Sequence, residues 1–61
     1  MPASLELITQ QRQRLFMLLK LRKDNAGIEI KGLNELIIAC EAEMQEEDVA
    51  WVEKKITQLP G

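Results

Sequence analysis

Polar and apolar positions along this chain recur at helical spacing over most of its length. The densest apolar stretch is Leu15-Phe16-Met17-Leu18-Leu19-Lys20-Leu21, in which only Lys20 is polar. At 100° per residue, six near-consecutive apolar side chains surround most of a helix. Leu7, Ile8, Leu15, Leu18 and Leu19 fall on one broad face with Gln11 inside it, and Met17 and Leu21 lie four apart on a different side. One neighbouring helix covers one side of such a segment, so something else must cover the other. Ser4 suits an N-cap and Glu6 the positive first turn. Lys20, Arg22 and Lys23 suit the negative last turns, and Asn25 or Gly27 can take a left-handed C-terminal cap. The pattern predicts a helix over 5–24.

Residues 25–32 read as a loop. In Gly27-Ile28-Glu29-Ile30-Lys31-Gly32 the isoleucines alternate with charges, as in a short half-buried strand, but the chain offers no second strand to pair with it. The expected role is a connection whose isoleucines plug the open end of a helix pair, with an intermolecular two-strand ribbon as the alternative. From Leu33 the helical pattern resumes: Leu33, Leu36, Ile37, Cys40 and Met44 form one stripe, and Val49, Val52, Ile56 and Leu59 form another. On a continuous helix the second stripe is rotated about 130° from the first. Either the helix breaks near 45–47, with Gln45 as cap and Glu46-Glu47-Asp48 as an acidic first turn, or one long, kinked helix buries two faces at different heights. No Gly, Pro, Ser or Thr marks a break, so the long helix over 33–59, stopped by Pro60-Gly61, is the preferred reading.

The fold class expected from this pattern is all-α: one domain over 1–61, an antiparallel helical hairpin, kinked or divided into three helices. Folding about the 27–32 loop sets positions whose numbers sum to roughly 57 opposite one another. Arg22 then lies near Glu35, Arg14 near Glu43, Arg12 near Glu46, and Trp51 covers the start of the first helix near Leu5. Charge supports this complementarity. Residues 1–32 carry six cations against three anions, and residues 33–61 carry two cations against seven anions. Exposed pairs contribute only about 0–1 kcal/mol each, so charge sets register while burial supplies stability.

Length then changes the picture. Sixty-one residues barely fill a core, and the chain has one cysteine and no histidine, which excludes an intrachain disulfide and Cys/His zinc sites. Unusually good helix packing or oligomerisation remains, the second being the commoner remedy, and a homodimer forming a four-helix bundle would bury both stripes of the first helix. Phe16, Met17 and Leu21, with Trp51 and Val52, supply the aromatic and methionine character of an interface centre.

Catalytic chemistry has few carriers here. There is no His or Tyr, the single Ser is assigned to a cap, and Cys40 sits in an apolar stripe without a partner base. Glu41, Glu43, Glu46, Glu47 and Asp48 lack the glycine-turned loop of a calcium site and read as a solvated acidic face. Gly27 and Gly32 match no phosphate-binding loop. No catalytic, metal or cofactor residue is assigned, and the expected class is non-enzymatic. For nucleic acid, Arg12, Lys20 and Lys23 can share one side of the first helix. Against this stand the net charge of −2 and an acidic second half, which repel phosphate. Met1-Pro2-Ala3-Ser4 has no charged leader region, the longest apolar run is Leu15–Leu19, and the lone thiol suits a reducing compartment. The expectation is therefore cytoplasmic, with no membrane.

In size and layout the chain resembles the small helical-hairpin proteins that dimerise into four-helix bundles, the Rop-like plasmid RNA-binding proteins among them. In length and composition it is also similar to the compact accessory proteins of lambda-like phages. The resemblance is one of architecture and assigns no site residues. It implies an accessory factor acting on host machinery. The function expected is a protein–protein interaction or regulatory module, as a homodimer or docked on a larger protein. The alternative is a nucleic-acid-binding adaptor that uses the basic first helix.

Overall fold

In the computed structural model, which describes residues 4–60, the chain folds into three α-helices: α1 (Leu5–Asp24), α2 (Leu33–Ala42) and α3 (Glu46–Thr57). Met1–Ala3, read above for a leader, and Gly61, read as part of the terminal stop, lie outside the described residues. None of the three helices is long and apolar enough to cross a membrane.

The ends of α1 follow from local chemistry. The Leu7 amide donates to Ser4 Oγ at 3.1 Å, satisfying one of the free N–H groups of the first turn. At the other end Asn25 Nδ2 donates to the Leu21 carbonyl at 2.8 Å, and Lys20 pairs with Asp24 one turn on at 2.9 Å. The connection to α2 bends at Gly27 and Gly32, with φ of +91° and +80°. An added Cβ would meet nothing within 4 Å at either glycine, so what demands glycine there is the left-handed backbone alone. Ile30 packs against the core, whereas Ile28 is exposed, so only one of the two loop isoleucines plugs the helices.

The long second helix expected over 33–59 is divided. Residues 43–45 break it, and Gln45 adopts an extended conformation (φ −78°, ψ 151°) before α3 begins. Geometry explains the outcome. A continuous helix over 33–59 would be about 40 Å long against about 30 Å for α1, and would aim the Val52 stripe far from the side that Ile37 and Cys40 bury. Breaking the helix lets α3 turn back and lay Val52 on α1.

Directions follow from the cross-contacts. Arg22 Nη1 donates to Asn34 Oδ1 at 3.3 Å, and Gln11 Nε2 to the Glu43 carbonyl at 3.3 Å, so α2 runs antiparallel to α1. Arg12 meets Asp48, and Lys23 Nζ donates to the carbonyls of Ile56 (3.3 Å) and Leu59 (3.4 Å), so α3 runs parallel to α1. The three helices thus form an up-down-up arrangement, not a simple hairpin, in which α1 packs against both partners while α2 and α3 barely touch each other. Leu15, Leu19, Leu33, Ile37, Cys40 and Val52 form the core, with Leu18, Met44, Val49 and Ile56 half-buried around them. Leu36, expected in the α2 stripe, is 59% exposed, and Leu7 is exposed on α1. With α1 as its one close neighbour, α2 buries only the narrow line through Leu33, Ile37 and Cys40.

Candidate interaction surface

Placing α3 beside α1 creates an open groove on the outside of that helix pair. Phe16 and Met17 from α1 face Trp51 and Leu59 along it, with Arg12 and Lys55 at its polar edges. Met17 is 70% exposed and Trp51 42% exposed, whereas Phe16 and Leu59 are half-buried. The local pattern accounts for this. Met17 lies two residues from both Leu15 and Leu19, the two α1 residues driven into the core. It therefore points about 160° away from each.

Trp51 is held by charge as well as by packing. The Arg12 guanidinium stands 4.4 Å from the indole centroid and the Lys55 ammonium 5.4 Å from it. Arg12 is itself fixed from behind: its Nη2 and Nε both donate to Asp48 Oδ1, at 2.7 and 3.0 Å. Asp48 is only 5% exposed and is the one buried charged side chain among the described residues. Its position in the first turn of α3 adds the positive helix end to the cation it already faces. The chain Asp48–Arg12–Trp51 thus runs from the core to the surface and fixes the orientation of the indole.

The residues expected at an interface divide. Phe16, Met17 and Trp51 come together in this groove. Leu21 is exposed but lies one turn beyond it and does not line it. Val52 is corrected: it is fully buried with Leu15 at the centre of the core, because it lies on the side of α3 turned toward α1. Trp51 does not cover Leu5, which is 80% exposed, because α3 runs parallel to α1 and brings Trp51 to Arg12 instead. Sequence reasoning missed Asp48, which was grouped with the solvated acids. Its position four residues before Val52 in the buried stripe was the available signal.

The cations considered for nucleic acid have partners within the chain. Arg12 is held by Asp48, Lys20 by Asp24, and Lys23 by the carbonyls of Ile56, in the last turn of α3, and Leu59, just beyond it. The expected pairs Arg12–Glu46, Arg14–Glu43 and Arg22–Glu35 do not form. Among the described residues the ion pairs are Arg12–Asp48 and Lys20–Asp24, and Arg22 bonds Asn34 instead. Burial pushes the Cys40 thiol above its ordinary value, with Glu43 and Glu41 adding to the rise and Arg14 opposing it. The thiol stays protonated and in contact with Met44 Sδ at 3.8 Å. Among the described residues no group of three or more Cys, Asp or Glu side chains is placed to hold a metal ion.

Comparison with protein-family models, curated proteins and solved structures finds no match to this chain.

Proposed function

We propose that this chain is a non-enzymatic protein–protein interaction module and that the α1–α3 groove, centred on Met17 and Trp51, is its contact surface. The observation that carries the reading is the side-by-side exposure of a methionine and an oriented tryptophan in a domain whose buried core, among the described residues, is six apolar side chains. Trp and Met are enriched where protein partners bury surface, and an anchored ring loses little entropy on binding. The lack of histidine, the Ser4 hydroxyl taken up in capping and the buried, protonated Cys40 support a non-enzymatic role. Nucleic acid is the weaker reading of this surface, since Arg12, Lys20 and Lys23 would have to leave intramolecular partners to reach phosphate.

A photoreactive residue tests the assignment. Placed at Met17, it is expected to give discrete higher-mass adducts in cells, from a second copy or from another protein. Placed at Glu35, on the exposed side of α2, it is expected to give none. Equal adduct formation at both positions, or none at Met17, removes the groove as a contact surface.

A further inference from the structure

Three exposed residues of α3 stand four apart on one ridge of the helix: Trp51 and Lys55, which line the groove, and Glu47, which continues the ridge beyond it. At 1.5 Å per residue the carboxylate and the ammonium lie about 12 Å apart along the axis, too far to pair with each other in one chain. Neither has an ion-pair partner among the described residues. Lys55 instead leans toward the Trp51 ring, 5.4 Å from its centroid. Read in reverse, an acid–aromatic–base ridge becomes base–aromatic–acid, so the ridge is complementary to its own antiparallel copy.

We infer that the groove face is a self-association surface, and that its occupant is a second copy of this chain laid antiparallel about a two-fold axis near Trp51. The inference rests on the reading of this face as a contact surface and supplies its partner. In that arrangement the indoles and Met17 side chains of the two copies meet at the centre. Glu47 of each copy faces Lys55 of the other, so the charge pair forms twice and the assembly closes at two chains. The shape of the protomer agrees. Its extents are 40 × 25 × 16 Å, a thin layer of helices, and the exposed Met17 and Trp51 lie on a side that no other helix covers.

Native mass by light scattering over a hundredfold concentration range tests the inference, with helical content checked by circular dichroism for each variant. The wild type is expected at the mass of two chains. Lys55→Glu sets two carboxylates against each other at both ends of the interface and should weaken the dimer about tenfold or more. The double variant Glu47→Lys/Lys55→Glu restores the order of charges and should restore the dimer. If Lys55→Glu loses helix, Glu47→Lys, which opposes two ammonium groups, carries the same prediction. A wild type that stays monomeric throughout overturns the inference and leaves the groove to a different protein. A dimer indifferent to both single reversals, or not rescued by the double one, also overturns it. If that dimer is indifferent to Met17→Glu as well, it forms through another face, and the contact-surface reading stands or falls separately on the photoreactive residue at Met17.

Discussion

Asp48 is a charged side chain buried against its ion-pair partner in a very small domain. A carboxylate that is 5% exposed is costly to bury without a close partner, and Arg12 supplies one at 2.7 Å while remaining about one-third exposed itself. Removing the acid leaves a half-buried guanidinium without its acceptor and frees the cation that holds the Trp51 ring. Asp48→Ala is therefore expected to lower unfolding stability by about 1–3 kcal/mol in a denaturant titration. It should also red-shift the emission of Trp51, the sole tryptophan, as the ring loosens into water. A variant with wild-type stability and emission would show that the pair orients nothing.

At the scale of the elements, the break between α2 and α3 is the least self-sufficient feature. Gln45 stands at the N-cap with no side-chain bond to the first turn of α3, although the turn begins with three acids that suit the positive helix end. Nothing local compels the break, and burial supplies the reason for it. Val52 is wholly buried on α1, with Val49 and Ile56 half-buried beside it, and each such side chain is worth up to about 1.5–3 kcal/mol when fully covered. A hydroxyl of the right reach would add the missing cap. Gln45→Ser is expected to raise stability by about 1 kcal/mol, read as a higher melting temperature with unchanged helical signal. A fall in melting temperature would mean that the Gln45 side chain supports the turn in some other way.

For the whole molecule the direction of α3 decides where charge accumulates. A hairpin would carry Lys54 and Lys55 to the start of α1, roughly 30 Å from Lys23. The parallel return instead sets them at the end where α1 finishes, with Lys23 donating to the carbonyls of Ile56 and Leu59. One end of the protein thus gathers Lys20, Arg22 and Lys23 with Lys54 and Lys55, and the other gathers Glu43, Glu46 and Glu47 around the α2–α3 turn. A short lysine-specific cross-linker, applied at a concentration low enough to exclude pairs of chains, should join Lys23 to Lys54 or Lys55. Failure to recover that link would argue for the hairpin.

The sequence alone determined what neighbouring residues can settle between themselves. Helical periodicity, the Ser4 cap, the cations of the last α1 turn and the apolar wrap of residues 15–21 act over one or two turns, so they were readable without a fold. The 130° slip between the Cys40 and Val52 stripes was also readable, but its meaning was not. Good helix formers across 41–47 argued for continuity, and the burial that outweighed them depends on where α1 lies. Tertiary structure decided the break, the parallel return of α3, the burial of Asp48 and Val52, and the exposure of Leu36. Each of these depends on which side of a helix finds a neighbour. Phe16, Met17 and Trp51 were legible as surface candidates by residue type. That they form one groove follows only from the direction in which α3 returns, because residues 34 positions apart meet through packing and not through any local signal.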